Sequence, residues 1–143
     1  HGDAVMSYPD ADRPLSLLGV EEVMAKGASL LDANVQVSHI IASPLSRAQE
    51  TAGLMATRLG YQPAILCWDS LSPAGDMGQV LALLATSNFA TPLLVTHQPF
   101  VSEFIDYLTG EAVMMGTASI VAITLDVFSP QTSELRWSID TCG

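Results

Sequence analysis

Ser43-Pro44-Leu45-Ser46-Arg47-Ala48-Gln49-Glu50-Thr51-Ala52 follows directly on Val35 to Ala42, a short apolar run rich in β-branched residues and bounded upstream by Asn34. That run reads as a buried strand. Ser43 is a residue type that caps helices and Pro44 suits the first helical position. Leu45, Ala48, Ala52, Met55 and Leu59 then form one apolar stripe that ends at Gly60. A strand feeding straight into a helix is the unit of a parallel α/β sheet, whose ligands lie beyond the carboxyl ends of the strands. Arg47 falls on the first turn of this helix, off the stripe, where it can reach such a crevice beside the positive end of the helix dipole.

Upstream, Leu17, Val20, Met24, Ala28 and Leu31 recur at helical spacing from Ser16 to about Asp32, with Ser16 as the expected N-cap. Downstream, the pattern predicts a short strand over Ala64 to Trp68 and a helix from Met77 to about Thr86. Leu93 to Thr96 reads as a buried strand that delivers His97 at its carboxyl end. A helix from near Pro99 carries Val101, Ile105 and Leu108 and closes at Gly110. Two strands follow, Ser119 to Val127 and Glu134 to Ile139. In the second, Leu135, Trp137 and Ile139 alternate with Arg136, Ser138 and Asp140, as in an antiparallel strand with one wet face. The expected fold is a three-layer α/β sandwich, a mainly parallel sheet with helices on both faces and an antiparallel edge strand.

The 143 residues suit one domain over 1–143, and no repeat or linker divides them. Hydrophobic residues at 49% against 14% charged argue for a packed core, and no apolar run approaches the roughly 20 residues that span a bilayer. A net charge of −10 disfavours nucleic acid and anionic membranes as partners. Cys67 and Cys142 are too few for a disulfide framework and lack the CxxC spacing of a zinc site, which points to a reducing cytoplasm. There is no GxxxxGK[ST] loop, no GxSxG and no HExxH, and Cys67 lacks the downstream arginine of a cysteine phosphatase.

Four segments together resemble the histidine phosphatase superfamily. Ser43 to Ala52 is similar to its S-P-L-x-R-A-x-x-T-A signature, His1-Gly2 to the end of its R-H-G motif, and Val95-Thr96-His97 to its second histidine. Arg13-Pro14-Leu15-Ser16 is similar to its R-P-L-[ST] segment. The short His1-Gly2-Asp3-Ala4 opening and the lack of a large insertion resemble the small bacterial phosphohistidine phosphatases of the SixA type. The resemblance implies a metal-independent, cofactor-free phosphatase with catalytic His1, Arg47 and His97, and with Arg13 and Gly2 binding substrate. His1 is the implied nucleophile, and the implied partner is a phosphorylated protein such as a histidine-containing phosphotransfer domain.

Chemistry supports the same residues. A phosphoryl group spreads charge over three oxygens and needs cations and N–H donors aimed at them, which two arginines and a protonated His97 would supply. Neutral imidazole, with a pKa near 6.5, is a competent nucleophile when its other nitrogen is held as a donor. Acid-phosphatase relatives carry a carboxylate after the second histidine, and here that position is Gln98, leaving Asp3 and Asp76 as weak candidates for an acid. Without a strong acid, a good leaving group such as imidazole suits the site better than an alkoxide. Phosphatases of small phosphomonoesters and noncatalytic phosphoprotein-binding modules remain as alternatives. His39, in mid-strand and without a motif, reads as structural. In the family an arginine and the central strand of the sheet precede the R-H-G histidine. The expectation is therefore an N-terminally truncated chain, lacking that strand and one phosphate clamp, marginally stable and nearly inactive.

Overall fold

A computed structural model describes residues 1–6, 8–125 and 133–139. Its elements are a 3-10 turn at Asp10–Asp12, α1 (Leu17–Asp32), β1 (His39–Ala42), α2 (Ser46–Leu59), β2 (Leu66–Cys67) and a second 3-10 turn at Asp69–Leu71. After these come α3 (Met77–Ser87), β3 (Pro92–Val95), α4 (Phe100–Thr109), β4 (Ile120–Thr124) and β5 (Glu134–Ile139). The expected elements are all present, with the strands trimmed to their paired residues; Val127, Asp140 and Cys142 lie outside the described residues.

β1 is the middle of a parallel sheet in the order β2-β1-β3, with Ile41 opposite Leu66 and Leu94. Side chains alternate across it. Ile40 and Ala42 pack with Ala48, Ala52 and Val95 beneath α2, whereas Ile41 joins Leu71, Val80, Leu84, Phe100, Phe104 and Leu108 on the side of α3 and α4. Helices therefore cover both faces, as a parallel sheet requires. β4 and β5 pair antiparallel, with Leu135, Trp137 and Ile139 half-buried and Glu134, Arg136 and Ser138 exposed, so the wet face is as expected.

The β4–β5 pair forms its own two-stranded sheet rather than an edge of the parallel one. A cavity of about 420 Å³ separates β3 from β4, lined by Leu93, Leu94 and Val95 on one side and by Ala118, Ser119 and Ile120 on the other. His1 bridges its mouth: its backbone nitrogen donates to the Thr96 carbonyl at 3.4 Å, and its carbonyl accepts from the Ala118 N–H at 2.7 Å.

Two local expectations need correction. In α1 the buried residues are Gly19, Val23, Lys26, Gly27 and Leu30. Of the predicted stripe, Leu17 is 85% exposed, and Met24 and Leu31 are exposed as well. Close packing overrides the apolar count, because a Cβ on Gly27 would lie 2.5 Å from Arg58 Cγ of α2 and one on Gly19 would lie 2.1 Å from the Asp3 carbonyl oxygen in the segment before α1. The second correction concerns the start of α2. Its N-cap position is Leu45, without a side-chain cap, and the Ser43 hydroxyl pairs with His97 Nε2 and accepts from the Leu45 N–H ahead of the helix. The helix does end at Gly60, whose φ of 68° is left-handed backbone that glycine adopts without a Cβ clash.

Candidate active site

The signature segment works as a set of staples. Thr51, buried on α2, accepts from the Gly2 N–H at 3.1 Å and donates to the Arg47 carbonyl at 2.7 Å. Gln49 donates to the Ser43 carbonyl at 2.8 Å, and the Glu50 carboxylate accepts from the Leu15 N–H at 3.4 Å. One helix turn thus fixes the His1-Gly2 segment, the loop before α1 and the end of β1 around Arg47. Glu22 adds a clamp from α1, accepting from the Asp3 N–H at 3.0 Å and from the Thr117 hydroxyl at 2.8 Å. Gly2 has no room for a side chain, since a Cβ there would sit 2.6 Å from the Gly19 carbonyl oxygen.

His1, Arg47 and His97 converge. The two imidazole centroids are 4.8 Å apart, and Arg47 Nε donates to His1 Nε2 at 3.3 Å. His1 Nδ1 lies 2.6 Å from the Gly2 carbonyl, which can only accept, so Nδ1 carries the proton and the lone pair of the neutral ring is on Nε2. The contact from Arg47 meets that lone pair. All three side chains line the cavity between β3 and β4.

His97 follows β3 and is buried. Its Nε2 pairs with the buried Ser43 hydroxyl, and its Nδ1 has no partner among the described residues. Ser43 Oγ also accepts from the Leu45 N–H at 3.3 Å and keeps its own proton for donation to Nε2 in one of the two tautomers the pair allows. That tautomer puts an N–H on Nδ1. Burial first, and then the Arg47 charge, lower the His97 pKa to about 3, so the ring is neutral at pH 7 in this state rather than protonated as expected. Neutral His97 still presents one N–H donor.

Arg47 is itself buried, with its Nη1 donating to the Asp10 carbonyl at 2.6 Å and its Nη2 at 3.4 Å from Asp10 Oδ2. Arg13 is not brought directly onto His1 or Arg47. Its Nε and Nη2 donate to the carbonyls of Val5 and Ala4 at 2.9 and 3.4 Å, and its Nη1 meets Asp10 Oδ1 at 3.3 Å. The Gly2 N–H is engaged by Thr51. Asp76 is the N-cap of α3, and Asp3 accepts from the Ser16 hydroxyl at 2.7 Å, so both weak acid candidates have structural partners. Gln98 donates to the Ser102 hydroxyl at 2.7 Å. His39 stacks on Phe89 with centroids 3.8 Å apart and takes no part in the cluster. Among the described residues no three His, Cys, Asp or Glu side chains gather closely enough to hold a metal ion.

Four groups of this site carry no sequence signal that reveals their part: Ser43, Thr51, Glu22 and Asp10. Ser43 and Thr51 stand inside the recognised motif, which marks their positions but not their partners.

A mainly parallel α/β fold with two histidines and an arginine facing one cavity defines a class of protein, and the chain belongs to the histidine phosphatase superfamily. The branch 1 family profile matches residues 3–71. The phosphohistidine phosphatase SixA of Escherichia coli (strain K12) is 30% identical over 149 residues, covering 100% of this chain and 91% of that protein. An uncharacterized protein of a Picosynechococcus strain is 30% identical over 122 residues, covering 80% of this chain and 73% of its own length. Among solved structures, the protein histidine phosphatase SixA complexed with tungstate is similar at a TM-score of 0.90 and 28% identity, over 99% of this chain and 94% of that one. A mycobacterial glucosyl-3-phosphoglycerate phosphatase with inorganic phosphate shares the fold at a TM-score of 0.74 and 19% identity, over 99% of this chain and 95% of that one.

Proposed function

We propose that this protein is a phosphatase that removes the phosphoryl group from a phosphohistidine on a partner protein, by way of a phosphohistidine on its own His1. The observation that carries the reading is the His1 tautomer. With Nδ1 tied to the Gly2 carbonyl, Nε2 offers its lone pair beside Arg47 and His97. Nε2 attacks phosphorus as the P–N bond to the substrate imidazole breaks, and that imidazole takes a proton from solvent. Water then attacks the phosphoenzyme, releasing phosphate and restoring neutral His1.

Arg47 and the His97 Nδ1–H stabilise the transferring group, and the phosphoryl dianion in turn favours protonation of His97. Arg13 completes the substrate side by turning its Nη1 edge from Asp10 to a phosphate oxygen, while the Gly2 backbone, held by Thr51 and His1, keeps the nucleophile in place. No carboxylate follows His97, and the side chain in that place, Gln98, is bonded to Ser102. An imidazole leaving group needs less help from an acid than an alkoxide does. The partner fitting this chemistry is a histidine-containing phosphotransfer domain in a signalling pathway. A cytoplasmic setting agrees with the free thiol of exposed Cys67.

Turnover of a phosphorylated phosphotransfer domain, an aryl phosphate and a sugar phosphate, by the protein with the upstream arginine and strand supplied and by its His1→Ala variant, tests the proposal. The expected order is phosphoprotein first, aryl phosphate next and sugar phosphate last, with His1→Ala inactive on all three. A sugar phosphate turned over fastest would assign the site to small phosphomonoesters instead.

A further inference from the structure

An anion already sits on the arginines of this site, and it belongs to the chain. Asp10 opens the 3-10 turn in the loop between Gly2 and α1. Its carboxylate reaches Arg47 Nη2 through Oδ2 at 3.4 Å and Arg13 Nη1 through Oδ1 at 3.3 Å. Its backbone carbonyl accepts from Arg47 Nη1 at 2.6 Å. Arg47 therefore spends its Nε on His1 and its outer edge on Asp10, and that outer edge is the part of a guanidinium that forks an oxyanion.

The two sides of this ion pair differ in freedom. Arg47 is 6% exposed and fixed by α2, whereas the Asp10 side chain is 67% exposed on a single turn. A phosphoryl group carried on His1 Nε2 would need the same guanidinium edge, and the mobile partner is the one able to leave. Water competes for an exposed carboxylate, so its hold on the arginines is weak.

We propose that Asp10 is a tethered stand-in for the phosphoryl group, which holds Arg13 and Arg47 on one carboxylate and surrenders both when phosphate binds. The inference rests on the phosphatase reading above and adds to it an internal competitor that sets the apparent affinity for phosphate. An entering anion must displace the carboxylate, so its apparent affinity is reduced by the fraction of sites that Asp10 occupies. The Arg47 charge holds the Asp10 carboxyl below its ordinary range, so the stand-in is ionised throughout the neutral pH range. A depressed pKa also disqualifies Asp10 as the missing general acid.

Calorimetric titration of the full chain with inorganic phosphate at fixed ionic strength, using the wild type, Asp10→Asn, Asp10→Ala and Arg47→Ala, decides the matter. Removing the carboxylate is expected to tighten phosphate binding about two- to fivefold, the range set by exposed ion pairs. Both Asp10 variants retain the backbone carbonyl contact, and the exposure of the side chain leaves the core untouched. Unchanged or weaker binding in both, with binding lost in Arg47→Ala, overturns the Asp10 proposal alone. Undiminished binding in Arg47→Ala overturns the site on which it stands.

Discussion

The two halves of the site are built differently. The half around α2 and the ends of β1 and β3 holds Arg47, His97, Ser43 and Thr51, all buried and carried on or directly beside packed elements. The half in the loop before α1 holds Arg13 and Asp10 on an exposed turn, joined by backbone carbonyls and ion pairs. Groups on a packed scaffold keep their geometry through the reaction, as transition-state stabilisation demands, whereas groups on an exposed loop exchange partners at low cost. On the proposed function, the difference fits the first half to stabilising the transfer to His1 and the second to admission of the anion.

The largest effect is expected on the buried side. Arg47→Ala should lower kcat/KM by about 10²–10³, the loss seen when one donor to a transition-state oxyanion is removed. Arg47→Lys should recover little, because an ammonium cannot meet His1 and fork an oxyanion together. Steady-state kinetics on an aryl phosphate checks both. A loss under threefold would place Arg47 outside the chemistry.

Ser43→Ala leaves His97 Nε2 buried without a partner and frees the tautomer. We expect about 1–3 kcal/mol of destabilisation in denaturant unfolding and a kcat reduced about 10- to 100-fold. Wild-type kcat in a folded Ser43→Ala protein would refute the tautomer argument.

His97 also makes a pH prediction. Its folded pKa of about 3 lies below the ordinary 6.5, so as pH falls the unfolded chain takes up the proton first. Stability from neutral His97 is complete above pH 6.5 and declines from there toward pH 3. The slope is at most about 1.4 kcal/mol per pH unit. His97→Gln removes that contribution, so the melting temperature of the wild type should fall more steeply between pH 7 and 5 than that of the variant. Parallel melting curves would contradict the burial of a neutral ring.

The smallest effect is expected on the loop. Arg13→Ala should raise KM about two- to fivefold and leave kcat nearly unchanged, as for loss of a partly exposed charge contact. A kcat loss matching that of Arg47→Ala would erase the distinction between the halves.

Much of this was legible in the residues, and the failures have physical causes. Between Val35 and Gly60 the order strand then helix reads correctly because β-branching, helical spacing and the terminal glycine agree, although the strand is confined to His39–Ala42 and the helix starts at Ser46. Ser43 misleads because a hydroxyl that caps a helix is equally able to bond a histidine far away in sequence, and only the fold brings His97 to it. The α1 stripe misleads because Gly19 and Gly27, which score as apolar gaps, are what lets that helix approach its neighbours. Asp10 offers no local signal, since its meaning lies in two arginines it meets only after folding. His97 is legible as a site residue from its place after a strand, yet its protonation state depends on burial that the pattern does not express.

The most direct test of the account is the identity of the phosphorylated atom. Rapid acid-free quenching during turnover, followed by peptide mapping, is predicted to find base-stable, acid-labile phosphate on His1 Nε2, absent from His1→Ala. Phosphate trapped on His97 or on any other side chain, or turnover without a phosphoenzyme, would contradict it.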